Sequence, residues 1–91
     1  METYLADIKK LGSQFFSPKE VATILEVDIA DFVAKCKNPA TDEYKAYHGG
    51  CLQSESLLRE SILRLANQGS SPAQTMAMEL MKHNKLNMKN R

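Results

Sequence analysis

Apolar residues recur at helical spacing along most of the chain, and turn and capping residues divide them into five segments. Tyr4, Leu5, Ile8 and Leu11 share one face of a first short helix over residues 3 to 11, which Gly12 is expected to end. Ser17-Pro18-Lys19-Glu20 opens a second helix. It supplies a capping hydroxyl, a proline suited to the first turn and a reciprocal glutamate, and Val21, Ala22, Ile24 and Leu25 follow. Glu26-Val27-Asp28 interrupts the pattern, after which Asp28, with Asp31 three residues on, caps a third helix carrying Ile29, Phe32, Val33 and Cys36. Asn38-Pro39 forbids its extension.

A single long helix is expected from Thr41 or Asp42 to Gln68. At about 100° per residue, Tyr44, Tyr47, Cys51, Leu58, Ile62 and Leu65 fall within an arc of roughly 60°. Gly49-Gly50 weakens its middle by about 1 kcal/mol per glycine relative to alanine, which predicts a bend or the close approach of another backbone. The stretch Leu65-Ala66-Asn67-Gln68-Gly69-Ser70-Ser71-Pro72-Ala73-Gln74 then stops one helix and starts the next. Gly69 suits the left-handed closing residue, Ser71 the next cap, Pro72 the first turn and Gln74 a capping box. The fifth helix, Pro72 to about Asn84, is expected to run antiparallel to the long one, burying Leu58, Ile62, Leu65, Met76 and Leu80 together. The pattern therefore predicts an all-α fold in three regions: a helix-turn-helix-like part over 1–40, an oligomerising helical hairpin over 41–84, and a flexible basic tail over 85–91.

Composition narrows the function classes without choosing one. A chain of 91 residues has a modest core and gains from a partner that adds burial. Leu57 lies nearly opposite the long helix's apolar arc, which Glu55 shares, and Met78 points away from the apolar face of the fifth helix. Both are candidate oligomer contacts. Twelve basic against eleven acidic residues leave a formal charge of +1, too little for the whole molecule to act as a polycation. Two cysteines and no apolar run of about 20 residues point to a cytosolic, reducing setting without a membrane span.

Residues Pro18 to Lys37 fit a helix-turn-helix template, with Val21, Leu25, Val27 and Phe32 at apolar positions and Ala22 where the helices cross. Glu26 stands where glycine is usual, and Lys35 takes a usually apolar place that Cys36 can cover. Asp28, Ile29, Ala30, Val33, Ala34 and Lys37 would face a groove, a set poor in the arginine and amide chemistry that reads base edges. Glu26, Asp28 and Asp31 would also repel phosphates there. Lys9 and Lys10 form one small positive cluster. The candidate phosphate contacts are Lys35, Lys37, Lys82, Lys85, Lys89 and Arg91, with His83 beside the C-terminal group. The bland reading of that group is favourable charge at a helix end and a solvated tail. No aromatic residue is interleaved to stack on single strands.

Little else suggests chemistry. His48 and Cys51 have metal-ligand spacing but no third or fourth ligand nearby, so no metal and no cofactor are expected. Cys36 with His48 can be drawn as a thiol nucleophile and base, yet no strained nucleophile turn or glycine-rich phosphate loop accompanies them. No catalytic residue is assigned, and the chain is read as a non-enzyme.

The ordered segments Ser17-Pro18-Lys19-Glu20-Val21-Ala22-x-Ile24-Leu25, Tyr44-x-x-Tyr47-x-x-Gly50, Leu58-Arg59-x-x-Ile62 and Leu65-Ala66-x-x-Gly69-Ser70-x-x-Ala73-Gln74 together resemble the small terminase subunits of tailed bacteriophages. The resemblance covers most of residues 16 to 81. It implies a non-catalytic DNA-packaging protein in the host cytoplasm that oligomerises, binds duplex DNA and serves a separate large subunit holding the ATPase and nuclease. The acidic, apolar third helix departs from such a protein's usual DNA-contacting element. Two alternatives stay open: a helix-turn-helix transcriptional regulator, and a structural helical adaptor that docks partner helices through Leu57, Met78 and Met88 without nucleic acid.

Overall fold

The structure, a computed structural model, describes the backbone of residues 2–89 and the side chains of residues 3–83. Its elements are α1 (Glu2–Ser13), α2 (Pro18–Leu25), α3 (Ile29–Lys37), α4 (Asp42–Asn67) and α5 (Ser71–Lys89), with no strand among the described residues. The chain forms two compact units, residues 1–55 and 56–91, whose boundary falls inside α4.

Local signals account for most helix ends. The Ser17 hydroxyl accepts from the Glu20 N–H at 3.2 Å while the Glu20 carboxylate accepts from the Ser17 N–H at 2.9 Å, the reciprocal box expected at the start of α2. Asp28 Oδ1 accepts from the Asp31 N–H at 2.8 Å and caps α3. The Thr41 hydroxyl accepts from the Tyr44 N–H at 3.1 Å at the start of α4. At the start of α5 the capping residue is Ser70, not Ser71: its Oγ accepts from the Ala73 N–H at 3.4 Å. Gln74 forms no capping box, because its Nε2 donates instead to the Ala66 carbonyl at 3.2 Å, tying the first turn of α5 to the last turn of α4.

Three helix ends share one closing device. Phe15, Glu26 and Gly69 have φ of 64°, 57° and 94°. After each, the next N–H reaches back five residues, Phe16 to Leu11, Val27 to Ala22 and Ser70 to Leu65, at 3.3, 3.1 and 3.1 Å. This left-handed closure satisfies carbonyls that the helix end leaves open. Glycine was expected to end a helix at positions 12 and 69, and does so only at 69. Glu26 shows that the α2–α3 turn forms without the usual glycine, and Phe15 that α1 closes beyond Gly12 rather than at it.

The core of the first unit is Ile8 from α1, Val21 and Ala22 from α2, Phe32 and Cys36 from α3, and Tyr47 from α4. Tyr4, Leu5, Leu11, Phe16, Leu25, Val27, Ala46 and Cys51 pack around it. Gly12 and Gly50 set the contact between α1 and α4. A Cβ at Gly12 would lie 2.5 Å from the Tyr47 carbonyl oxygen, and one at Gly50 would collide with the Lys9 carbonyl oxygen. Gly49 has nothing within 4 Å, so within this glycine pair it is Gly50 that makes the close backbone approach. The first turns of α4 also close the end of α1. Cys51 Sγ donates to the Gly12 carbonyl at 3.2 Å, Ser54 Oγ to that of Ser13, and Tyr47 Oη to that of Phe16 at 2.6 Å.

The second unit buries less. Ile62 on α4 and Ala73 on α5 are 8% and 5% exposed, and Ala66, Ala77 and Leu80 are half-buried. Leu58, Leu65 and Met76, expected inside with Ile62 and Leu80, are exposed. A pair of helices offers each side only one neighbour, so apolar positions away from the few buried ones need a further element to cover them. α5 also runs to Lys89, five residues beyond its expected end.

Candidate nucleic-acid interface and assembly surface

The outward side of α3 is built from Ala30, Ala34 and Lys37, all exposed, with Val33 half-buried beside them and Ile29 exposed at the helix start. Burial of Phe32 and Cys36 fixes this orientation, because in a helix the positions about 180° from the buried ones must face out. Glu26, Asp28 and Asp31 are exposed at the same end. Lys35 is not directed at a ligand. Its Nζ lies 3.0 Å from Asp31 Oδ2 and 3.6 Å from Glu43 Oε2, and those two carboxylates hold its pKa above the ordinary lysine value. Cys36 is buried, while Lys35 links α3 to α4. Tyr4 Oη donates to the same Glu43 carboxylate at 3.5 Å, and burial, followed by the Glu43 charge, raises the Tyr4 pKa. Of the two α3 lysines proposed for phosphate, Lys37 is exposed and Lys35 is engaged.

The other candidate contacts lie on α5. Lys82 is exposed. The side chains of Lys85 and Lys89, and Arg91 altogether, lie outside the described residues. Helix register alone puts positions 82, 85 and 89 within an arc of about 60°, at i, i+3 and i+7. Charge is divided between the two units in a way that the near-neutral total conceals. Residues 1–55 hold nine acidic and six basic side chains, a net −3, and residues 56–91 hold two acidic and six basic, a net +4. The basic side chains of the second unit include Arg59 and Arg64, which lie outside the positive clusters visible in the sequence. Charge counted separately for each half of the sequence would have found them.

That basic unit also carries the greater share of exposed apolar surface. Leu57 and Met78, the expected oligomer contacts, are 67% and 61% exposed. Leu58, Leu63, Leu65, Met76 and Met81 are exposed with them. In the first unit the corresponding side chains are Phe15, Ile24, Ile29 and Leu52. A shallow cleft between α1 and α2 is lined by Asp7, Lys10, Leu11, Gln14, Ile24 and Leu25.

Cys36 and His48 do come together, but through backbone. His48 Nε2 donates to the Cys36 carbonyl at 3.0 Å, and its ring packs against Tyr44 and Tyr47 with centroids 4.3 and 5.1 Å away. The Cys36 thiol is buried, which with the Glu43 charge and then Cys51 pushes its pKa up to about 11 and keeps it protonated near neutral pH. Cys51, on which the metal-ligand spacing was read, spends its thiol on the Gly12 carbonyl. Among the described residues no three His, Cys, Asp or Glu side chains gather as a metal site, and no helix is long and apolar enough to cross a membrane.

No protein-family model, curated protein or solved structure matches this chain. The likeness to small terminase subunits therefore rests on the pattern of its own residues.

Proposed function

We propose that the chain is a non-catalytic DNA-packaging protein of the small-terminase kind. It oligomerises through its second unit, holds duplex DNA weakly through lysines, and presents that DNA to a large ATPase and nuclease subunit. In this reading α2 and α3 form a helix-turn-helix, and α4 and α5 an antiparallel hairpin. The observation that carries it is the second unit: seven large apolar side chains exposed among its described residues, on a net charge of +4. A two-helix unit with so small an interior gains stability by covering those side chains with a further copy. Its charge attracts the phosphate backbone without reading sequence. A regulator that selects its site through α3 is disfavoured, because the exposed residues there are small, apolar or acidic apart from Lys37, and Lys35 is ion-paired with two carboxylates.

The test is the mass of the protein in solution with and without duplex DNA. An oligomer whose DNA affinity falls steeply between about 50 and 200 mM salt supports the reading. Replacing Lys82, Lys85, Lys89 and Arg91 by alanine should flatten that dependence. An oligomer that binds no DNA at low salt would favour the second reading, a helical adaptor, which the acidic first unit supports.

A further inference from the structure

We propose that the first unit docks a cationic amphipathic helix of another protein in the cleft between α1 and α2. The site is separate from the DNA and assembly surfaces assigned above and stands or falls without them. Asp7, Lys10 and Leu11, at i, i+3 and i+4 on α1, and Gln14 just beyond its end form one wall of the cleft. Ile24 and Leu25 of α2 form the other. Its volume of about 300 Å³ is at the small end for ligand pockets, room for one or two apolar side chains of a helix laid along the groove rather than for a cofactor.

Two observations point to such an occupant. The first is Phe15, which follows Gln14 of the cleft wall. Its φ of 64° is left-handed, where a bulky side chain is an outlier and glycine is at ease, yet its ring is 55% exposed. Ile24, in the opposite wall, is 50% exposed. An aromatic ring held outward on strained backbone contributes little to the interior, and such outliers gather where proteins bind. The second observation is the charge around this apolar surface. Asp7 stands in one wall, Glu20 lies one turn before Ile24 on the same face of α2, and Glu26 follows Leu25; all three are exposed. Lys10 is the lysine set among them, because helix register turns Lys9 about 160° from Asp7 and Lys19 about 140° from Ile24. Three carboxylates against one ammonium favour lysine or arginine beside the apolar anchors of the incoming helix.

The test is titration of the isotope-labelled full chain, followed by NMR, with an amphipathic helical peptide of leucine and lysine about five turns long, and with its counterpart carrying glutamate for lysine. The expected result is that the lysine peptide shifts the resonances of Leu11, Gln14, Phe15, Ile24 and Leu25, and that the glutamate peptide binds at least about tenfold more weakly. Asp7→Lys, Ile24→Ser and Phe15→Gly should each weaken the lysine peptide about tenfold. Phe15→Gly should at the same time raise the melting temperature, since glycine relieves the left-handed backbone, so its loss of binding is not a loss of fold. No binding, equal binding of the two peptides, shifts centred elsewhere, or full affinity in Phe15→Gly and Ile24→Ser overturns the proposal. Shifts of the same resonances with protein concentration alone would assign the cleft to a second copy and overturn it as well.

Discussion

Gly12 lies so close beneath Tyr47 that a Cβ there would sit 2.5 Å from the Tyr47 carbonyl oxygen. The closeness is what lets the α4 side chains reach the open carbonyls of α1, since Tyr47 Oη, Cys51 Sγ and Ser54 Oγ donate to Phe16, Gly12 and Ser13 in turn. Helix termini left without such partners carry a desolvation cost. The contact therefore serves both packing and the hydrogen bonding of α1.

Alanine at the three helical glycines should separate by sign. Gly12→Ala and Gly50→Ala press a methyl into backbone and should each destabilise by about 1 to 3 kcal/mol or more. Gly49→Ala meets nothing within 4 Å and should stabilise by up to about 1 kcal/mol through helix propensity. Urea denaturation of the three variants checks this, and equal effects at positions 49 and 50 would contradict the observed contact.

The left-handed corner at Glu26 predicts a stabilising substitution. A side chain in that conformation costs roughly 1 to 2 kcal/mol that glycine avoids, so Glu26→Gly should raise the melting temperature, and Gly69→Ala should lower it. If Glu26→Gly is destabilising, contacts of its side chain outweigh the backbone term.

Alkaline pH should weaken the first unit. Burial is the main reason that Tyr47 is pushed up from 10.0 to about 12, with Cys51 adding to it, and Cys36 is pushed up from 9.0 to about 11. Both are acids whose folded pKa is raised, so the unfolded chain releases their protons first. The stability they contribute is complete below about pH 9 and is lost as pH climbs through their folded values. Stability measured from pH 8 to 12 should fall, and the fall should be shallower in Tyr47→Phe and in Cys36→Ala. An unchanged slope in both variants would rule out these groups as its cause.

Substitutions in the second unit should distinguish its interior from its surface. Ile62→Ala should cost about 2 kcal/mol, at the lower end for a buried isoleucine because so little packs around it, whereas Leu65→Ala should cost less than about 1 kcal/mol. Leu57→Asp and Met78→Asp should reduce the mass of the assembly while leaving circular dichroism unchanged, since a charge desolvated at a contact is costly. Full-size assemblies from both variants would exclude these residues from the interface.

Where the deciding interactions span only a few residues, the sequence determined the outcome by itself. The Ser17–Glu20 box, the Asp28 cap, the start of α4 and the closing turn at Gly69 are settled within a helical turn or two, and the all-α character follows from them. The same local reading identified Leu57 and Met78 as exposed, because helical period alone sets them off the apolar faces. Tertiary structure decided the rest. Phe15 and Glu26 adopt left-handed backbone that no propensity favours, since the packing of α1, α2 and α3 fixes where those helices must stop. Gly12 continues α1 instead of ending it, because what it accommodates is the backbone of α4, 35 residues later. Lys35 appeared available for phosphate until folding set Glu43 beside it. Leu58, Leu65 and Met76 share a helical face with buried neighbours, yet burial needs a second surface to cover them. A helical period states which side chains lie together, not how many elements arrive to enclose them.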